Sequence, residues 1–373
     1  MRVLYIYKDY YPVVGGIENH IRTICNGLQG RPDIQPTVLV TNRANRTVIE
    51  EIDGVRVIKA ARLANVSSAP ISLSLFLWAR KLDADITHLH FPYPIGEMAY
   101  LLGGRSRKMV ITYHSDIVRQ KTLLRLYAPF LRRVLDRADS IAVSNPPYIQ
   151  SSPYLRPLAA KCRVIPFGID TSRFAPTPET QRYAQEVRRR YNHAPLILFI
   201  GVLRYYKGVG YLIRAMSDIH ARLLIVGQGP QGEEWRALAQ QSGLADKIDF
   251  LGRVEDDEMP GLLHACDVFA LPSIYRSESL GIAQIEAMAC GKPVVCTELG
   301  TGTSFVNVDG VTGFVVPPMD AGALAGAINR LLADPHLRQR MGQAGRERAE
   351  REFAAPVMVQ RLVDWYTEVL RQP

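Results

Sequence analysis

Short runs of consecutive apolar residues recur along this chain, separated by longer stretches in which apolar residues return every three or four positions. Runs of the first kind include residues 2–7 (RVLYIY), 108–113 (KMVITY), 196–200 (LILFI) and 222–226 (RLLIV). An unbroken apolar run of this length is typical of a strand buried on both faces of a parallel sheet. The alternation with helical spacing therefore predicts repeated βαβ units and a doubly wound α/β fold.

The chain is long for a single hydrophobic core. It has 373 residues, of which 47% are apolar and 22% charged, as in an ordinary globular protein. A polar stretch at residues 177–195 follows the apolar run CRVIPF and precedes a new series of predicted strands that begins at LILFI. We therefore expect two domains, each with its own sheet.

Two carboxylates stand close together in the second half, in the segment Ser273 to Pro293. Glu278 and Glu286 are eight positions apart, and the residues between them include one glycine, Gly281. The apolar run before Glu278 predicts a strand, and the residues from Ile282 predict a helix. A loop acid, a helix acid and free N–H groups at the helix start suit a ligand that carries both hydroxyl groups and phosphate. The alternative is an ordinary loop acid and a solvated helix acid.

Three other strand ends carry candidate chemistry. Gly15 and Gly16 precede the first predicted helix, where the turn either wraps a phosphate or sugar edge or is a plain connection. His114 ends a predicted strand and either donates to a substrate hydroxyl or is structural. Arg204 and Lys207 are three residues apart at a helix start, which suits a diphosphate or a solvated basic turn.

Two further patterns indicate other chemistries. Gly227, Gly229 and Gly232 spell G-x-G-x-x-G, the fingerprint of dinucleotide binding, although Pro230 interrupts it and no clear ribose-binding acid follows. His88 and His90 alternate on a predicted strand and could ligate a metal, but no third ligand with suitable spacing follows, so we expect polar residues at a strand end.

Charge is distributed unevenly along the chain. The net charge is +9, and residues 1–175 contain 24 Lys and Arg but 13 Asp and Glu. No nucleic-acid-binding signature accompanies this charge. The segment 119–137 combines basic residues with apolar residues at helical spacing and either lies on an anionic membrane or packs on the sheet, and Pro129 should kink or break its helix. Five cysteines without a C-x2-C pair indicate reduced thiols.

Taken together, the motifs resemble those of the GT4 family of retaining glycosyltransferases, the glycosyl transferases group 1. Glu278 and Glu286 match its Glu-x7-Glu motif, and four more stretches match in the expected order: PVVGGIENH, YHSD, VIPFGIDTSRF and GVLRYYKGVGYLIRA. The likeness covers nearly the whole chain. It implies the GT-B fold, with two doubly wound Rossmann-like domains facing across a cleft. We place an acceptor-binding domain at 1–170 and a donor-binding domain at 171–354, and we expect the helix within 355–373 to cross back to the first domain.

The resemblance also implies roles for single residues. His114 would contact the transferred sugar, Arg204 and Lys207 would neutralise the leaving diphosphate, Glu278 would hold sugar hydroxyls and Glu286 the ribose. Asp116 would lie on the acceptor side. The other residues expected to bind the donor are Gly15, Gly16, Gly201, Arg253, Val254, Ser279, Leu280, Gly281 and Ile282. No metal and no cofactor is expected.

The motifs are most similar to those of bacterial mannosyltransferases. We therefore expect a hexose, favoured as mannose from GDP-mannose, to be moved to a glycan or lipid-linked acceptor in the synthesis of cell-surface polysaccharide or glycolipid. A UDP-hexose is the alternative donor. A non-catalytic sugar-binding protein and an NAD-dependent oxidoreductase are alternatives from other classes. The expected location is cytoplasmic, with peripheral contact at the inner face of the plasma membrane through 119–137.

Overall fold

The computed structural model describes residues 1–13, 15–66, 69–116 and 121–372, without the side chains of residues 66, 69 and 121–126. The chain divides into two compact units. Unit 1 comprises Met1–Gly168 together with Ala355–Pro373, and unit 2 comprises Ile169–Ala354. Each unit has its own sheet and its own core.

Unit 1 is built on a mostly parallel sheet with strand order β10-β9-β8-β7-β1-β2-β4-β3, and β5 and β6 form a separate antiparallel pair. Its strands are β1 (Arg2–Ile6), β2 (Gln35–Thr41), β3 (Val48–Ile52), β4 (Val55–Ala60), β5 (Ala64–Val66), β6 (Ala69–Ile71), β7 (Ile86–Phe91), β8 (Lys108–Tyr113), β9 (Ser140–Val143) and β10 (Cys162–Val164). The helices of this part are α1 (Gly16–Leu28), α2 (Leu73–Lys81), α3 (Pro94–Gly103), α4 (Lys121–Arg137) and α5 (Pro146–Ser151).

Unit 2 has a fully parallel sheet with strand order β13-β12-β11-β14-β15-β16. Its strands are β11 (Leu196–Ile200), β12 (Arg222–Val226), β13 (Ile248–Gly252), β14 (Val268–Leu271), β15 (Val294–Thr297) and β16 (Gly313–Val316). Its helices are α6 (Pro178–Arg190), α7 (Val209–Ala215), α8 (Gly232–Gln241), α9 (Met259–Ala265), α10 (Ile282–Ala289), α11 (Thr303–Val306), α12 (Ala321–Ala333) and α13 (Pro335–Phe353). The predicted parallel strands and intervening helices are thus confirmed.

The last helix, α14 (Ala355–Arg371), belongs to unit 1. Its apolar face is buried, and Val359 packs so closely on α1 that a Cβ added at Gly27 would lie 2.5 Å from it. The Tyr366 hydroxyl lies 3.0 Å from the Tyr5 hydroxyl on β1. The helix therefore completes the core beneath the centre of the unit 1 sheet.

Two local expectations differ from the structure. Strand β3 pairs antiparallel with β4 to form a hairpin that the sequence pattern did not predict. Helix α4 runs through Pro129 without a break. Its buried residues Leu131, Val134 and Leu135 pack in the unit 1 core, and that packing outweighs the backbone hydrogen bond lost at proline. The burial of these residues favours packing on the sheet over membrane contact for the part of 119–137 whose side chains are described. Residues 119 and 120 lie outside the described residues.

No helix in the described ranges is long and apolar enough to cross a membrane. The five cysteines are free thiols, as predicted.

Candidate functional site

In unit 2 the order of strands reverses between β11 and β14. Strands β12 and β13 follow β11 on one side, whereas β14, β15 and β16 lie on the other. The connections that leave β11 and β14 therefore turn away to opposite faces, and a crevice forms at the strands' carboxyl ends. The loop after β11 carries Arg204 and Lys207, and the loop after β14 carries Glu278. Topology thus brings two of the predicted motifs to one point.

Lys207 and Glu278 form an ion pair at this point. The distance from Lys207 Nζ to Glu278 Oε2 is 2.6 Å, and the two side chains are 12% and 9% exposed. The hydroxyl of Ser273 donates to the same carboxylate oxygen over 2.9 Å. Glu278 is therefore held by two donors, in surroundings that water screens weakly. Ser273 is buried and was not among the predicted site residues.

Glycines allow the two loops to approach each other. Gly208 has a φ of +66°, and a Cβ at this position would lie 2.0 Å from the carbonyl oxygen of Pro272. The Ile274 amide donates to the Tyr206 carbonyl over 2.8 Å. Gly201 leaves room for the Lys207 side chain, whose Cε would be 3.3 Å from an added Cβ. A side chain at Gly208 would collide with the Pro272 backbone and move the loop that carries Lys207, whereas one at Gly201 would press on the Lys207 side chain itself.

The loop between β15 and α11 holds the backbone around Glu278. The Thr301 hydroxyl donates to the Glu278 carbonyl over 2.8 Å, and the Gly302 amide donates to the Ser279 carbonyl over 2.6 Å. Thr301 is fully buried and was not among the predicted site residues. These two bonds fix the backbone at Glu278 and Ser279, and Lys207 and Ser273 orient the Glu278 carboxylate.

Helix α10 starts directly after this loop. Gly281 precedes it in the left-handed conformation, with a φ of +74° that favours glycine. Leu280 is buried and Ile282 is half-buried at the first turn. Glu286 lies on the same helix and is half-buried; burial raises its pKa to about 7, Arg173 opposes that rise, and Asp256 adds to it. Within the described residues the Glu286 carboxylate accepts no hydrogen bond, so it has capacity for a ligand.

The remaining predicted cations and the predicted base contacts lie on the surface of unit 2. Arg204 is exposed and forms no ion pair with another described residue. Arg253 is exposed as well, 3.8 Å from the Glu255 carboxylate. Arg253 and Val254 line a cavity of about 210 Å³ together with Tyr183 and other residues of α6 and α9. Among the described residues, neither Arg204 nor Arg253 forms a hydrogen bond or an ion pair with Lys207 or Glu278.

The G-x-G-x-x-G turn has a structural role here. A Cβ at Gly227 would lie 2.0 Å from the Gly201 carbonyl oxygen, and one at Gly229 would lie 2.4 Å from that of Leu203. The Leu203 amide also donates to the Gln228 carbonyl over 3.0 Å. The space that a dinucleotide would need against these glycines is therefore filled by the loop that carries Arg204 and Lys207.

Unit 1 has its own reversal of strand order, between β1 and β7. The loop after β1 leads through Gly15 and Gly16 into α1. The Glu18 side chain folds back over this turn, because a Cβ at Gly15 would lie 2.2 Å from Glu18 Oε2. Glu18 is 7% exposed, and burial raises its pKa. A carboxylate at the start of α1 competes with a phosphate there, so the geometry suits a hydroxyl-bearing group better than an anion.

Beside this turn lies a cluster of buried imidazoles. His90 Nδ1 and His114 Nε2 are 2.9 Å apart, and the rings of His20 and His114 flank Phe167 at centroid distances of 4.2 Å and 5.2 Å. His88 bonds to Tyr366 and Thr112, each over 2.7 Å. Burial lowers the pKa of all four histidines, to about 3 for His20 and His88. The cluster is therefore neutral at physiological pH.

His88 and His90 are thus buried members of a hydrogen-bonded cluster rather than polar residues at an open strand end. His20 closes the quoted PVVGGIENH motif, yet its proximity to His114 was not predicted. Among the described residues no group of three or more His, Cys, Asp or Glu side chains is arranged to hold a metal ion. Asp116, predicted on the acceptor side, accepts hydrogen bonds from Tyr113 and Ser152 over 2.8 Å and 2.7 Å, so part of its carboxylate is engaged internally.

Two family models and full-length relatives decide the family. The model described as Glycosyltransferase Family 4 matches residues 14–173, and the model described as Glycosyl transferases group 1 matches residues 182–348. The chain is 37% identical over 375 residues to O-antigen chain mannosyltransferase C of Escherichia coli, covering 99% of each chain. The chain belongs to the GT4 family of glycosyltransferases.

Other similarities agree with this assignment. The glycosyltransferase is 38% identical over 359 residues to D-rhamnosyltransferase WbpZ of Pseudomonas aeruginosa, covering 95% of this chain and 93% of that relative. Among solved structures it resembles sucrose-phosphate synthase from Thermosynechococcus elongatus, with a TM-score of 0.78, 26% identity and coverage of 99% and 98%. The predicted GT-B fold and glycosyltransferase activity are confirmed, and the oxidoreductase and non-catalytic alternatives are wrong.

Proposed function

We propose that this glycosyltransferase moves mannose from GDP-mannose to a glycan or lipid-linked acceptor and retains the configuration at the anomeric carbon. The pairing of Lys207 with Glu278 at the strand-order reversal of unit 2 supports the chemistry, because it brings a cation and an acid together at the position where ligands bind in doubly wound sheets. The printed name of the Escherichia coli relative supports mannose as the sugar.

Lys207 and Arg204 would stabilise the departing diphosphate. An ammonium group has three donors, so Lys207 can keep its bond to Glu278 and still donate to a phosphate oxygen. Arg204 is exposed and without an ion pair among the described residues, so its planar guanidinium is available for a second oxygen. The N–H groups at the start of α10, near Ser279 to Ile282, would add to the same stabilisation.

The transfer itself needs no strong protein nucleophile. The bond from the anomeric carbon to the diphosphate oxygen breaks, the acceptor oxygen bonds to that carbon on the same face, and the leaving phosphate oxygen takes the acceptor's proton. Glu278 fits the role of holding sugar hydroxyls in place better than that of a nucleophile. Its Oε2 is already bonded to Lys207 and Ser273, which withdraw electron density from it.

Glu286 would hold the ribose, and the histidines would contact the sugar. A Glu286 carboxylate without an internal hydrogen bond can accept from ribose hydroxyls. On unit 1, His90 would fix the orientation and tautomer of His114, which would bond a hydroxyl of the transferred sugar. Arg253 and Val254 would contact the base. We propose that no metal or cofactor takes part in these contacts.

A second donor is supported by the Pseudomonas aeruginosa relative, whose printed name specifies D-rhamnose, a sugar that lacks the 6-hydroxyl of mannose. The UDP-hexose alternative also stays open for testing. For the acceptor, the basic character of unit 1 suits a lipid-linked glycan at the inner face of the plasma membrane. Within 119–137, Arg132 and Arg133 are exposed and would contribute positive charge to contact with the membrane.

A thermal-shift panel tests the donor site. Wild type, Glu286→Ala and the control Glu233→Ala, whose side chain is 97% exposed, are melted with GDP, UDP, ADP and TDP. A ligand that binds the folded state raises the melting temperature. We expect a selective rise with GDP that persists in Glu233→Ala and is lost in Glu286→Ala. A selective rise with UDP would overturn GDP-mannose, and no rise with any nucleotide would contradict the proposed donor site.

The rates of transfer from two GDP-sugars then distinguish mannose from its 6-deoxy analogue. Purified enzyme is supplied with acceptor-containing membranes and with GDP-mannose or its 6-deoxy analogue, and products are analysed by mass spectrometry. Faster transfer of mannose supports the proposal. Faster transfer of the 6-deoxy sugar would mean that the donor sugar is D-rhamnose instead of mannose, while the proposed roles of the site residues would stay the same.

A further inference from the structure

Helices α2 and α3 of unit 1 share an apolar surface pattern. On α2 the exposed residues are Leu73, Leu77, Arg80 and Lys81, and on α3 they are Met98 and Leu102; Arg105, two residues after α3, is exposed as well. Leu73 and Leu77 on α2 and Met98 and Leu102 on α3 are each four residues apart, so each helix presents two apolar side chains on one face, with a cation at or just after its end. Leu73, Leu77 and Leu102 are 64%, 62% and 75% exposed, which is unusual for leucine.

The two helices lie side by side in the same direction. Near their starts, the Tyr93 hydroxyl before α3 donates to the Pro70 carbonyl before α2. Near their ends, a Cβ added at Gly103 would lie 3.2 Å from Arg80 Cβ. The aliphatic residues of the two helices are therefore at matching levels, and the cations are at the same end.

Leu63 extends this surface, because its amide donates over 2.9 Å to the carbonyl of Ile71, two residues before α2. It is 57% exposed. In the described part of the chain every leucine that is largely exposed lies here: Leu63, Leu73, Leu77 and Leu102. Together with Met98, Arg80, Lys81, Arg105 and Arg107 they form what we call the α2–α3 surface.

The charge of this surface has one sign. Residues 69–82 contain no acid, and Asp83 directly after them pairs with Arg2 over 3.0 Å. Residues 94–108 contain only Glu97, which is 1% exposed. Arg80, Lys81, Arg105 and Arg107 form no ion pair with any described residue. Lys81 lies 5.4 Å from the Trp78 ring centroid. Unpaired cations beside exposed aliphatic side chains attract an anionic, apolar partner.

We propose that the α2–α3 surface docks on an anionic lipid bilayer, with the leucines and Met98 entering the acyl boundary and the four cations at the headgroups. Interfacial helices combine aliphatic or aromatic side chains with Lys and Arg in this way. A protein partner fits less well: Met and Arg are enriched at protein interfaces, but four of the five exposed apolar residues here are leucines, which are under-represented among interface hot spots. The proposal concerns a surface and does not depend on the donor or acceptor named above.

Vesicle sedimentation without nucleotide or acceptor tests this docking. Wild type is mixed with phosphatidylcholine vesicles that contain or lack phosphatidylglycerol. We expect binding to the anionic vesicles, at least a tenfold weaker partition for Leu77→Gln/Leu102→Gln, and a weaker dependence on salt for Arg80→Gln/Arg105→Gln. The control Ile49→Gln changes another side chain that is 52% exposed and should bind as wild type.

Trp78 gives a second readout. Trp235 and Trp365 are buried, whereas Trp78 is partly exposed on α2, so brominated lipids should quench fluorescence that Trp78→Phe removes. Arg132→Gln/Arg133→Gln separates this surface from α4. Unchanged binding of Leu77→Gln/Leu102→Gln, loss only in the α4 variant, or absence of quenching would overturn the proposal. So would a wild-type dimer in sedimentation analysis that Leu77→Gln/Leu102→Gln dissociates.

Discussion

The ammonium of Lys207 lies 2.6 Å from the carboxylate of Glu278, although 71 residues separate them in the chain. Lys207 lies on the loop after β11, and Glu278 lies on the loop after β14. These two strands are neighbours, and the order of the unit 2 sheet reverses between them. Both side chains are about nine-tenths buried. The pair is therefore part of the fold as well as of the proposed donor site, and the two roles can be separated by measurement.

Removing one partner of the pair should cost stability. Lys207→Met leaves Glu278 buried with Ser273 as its remaining side-chain donor, so we expect the free energy of unfolding to fall by about 3 kcal/mol. Lys207→Met/Glu278→Gln removes both charges and should recover part of that loss. Urea unfolding measures the stabilities. An additive double variant would mean that the two charges do not interact.

Catalysis should respond differently from stability. If Lys207 also stabilises the leaving diphosphate, kcat falls by about 100-fold in both the single and the double variant, because neither contains the cation. Rescue of activity in the double variant would contradict the role on the diphosphate and leave Lys207 as a partner of Glu278 only.

Gly208 should be replaceable only at a high cost. Gly208 and Gly243 both have a φ of +66°, but a Cβ at Gly208 would lie 2.0 Å from the Pro272 carbonyl oxygen, whereas one at Gly243 meets nothing within 4 Å. Gly243→Ala should therefore lose about 1 kcal/mol through backbone strain alone. Gly208→Ala should lose more and also lose activity, because the Lys207 loop must move away from Glu278. Equal losses in unfolding experiments would contradict the close contact of the loops.

Local sequence pattern predicts some features of this site and misses others. Glu278 was expected on a loop after a strand and Gly281 before a helix, and both follow from local pattern and turn chemistry. The Lys207–Glu278 bond could not be predicted, because it depends on β11 and β14 being neighbours. Ser273 and Thr301 carry no distinctive local pattern. The unbroken helix through Pro129 arises because packing of Leu131 and Val134 overrides a local preference.

Nucleotide binding should depend on pH through Glu286. Burial raises the pKa of Glu286 to about 7, so near neutral pH the group is partly protonated in the free enzyme. An ionised carboxylate accepts hydrogen bonds from both ribose hydroxyls, so the affinity for GDP should rise between about pH 6 and pH 8. Calorimetric titration of wild type and Glu286→Gln measures this. The same rise in Glu286→Gln would place the titrating group elsewhere.

The stability of unit 1 should depend on pH through its neutral histidines. Burial lowers the pKa of His20 to about 3, whereas an unfolded histidine has a pKa of about 6.5. Between these values the unfolded chain binds a proton that the folded chain does not, so acidification favours unfolding. This group alone should remove about 2 kcal/mol between pH 8 and pH 5. Glu97 acts in the opposite direction, since burial raises its pKa to about 7.

His20→Gln isolates the histidine from these other groups. The side chain makes no hydrogen bond with the described residues, so its replacement changes packing against Phe167 by an amount that does not vary with pH. Relative to wild type, His20→Gln should therefore gain about 2 kcal/mol in unfolding free energy on going from pH 8 to pH 5. The exposed control His220→Gln should show no comparable gain. If the stability difference between wild type and His20→Gln is the same at both pH values, His20 is not held neutral by its burial.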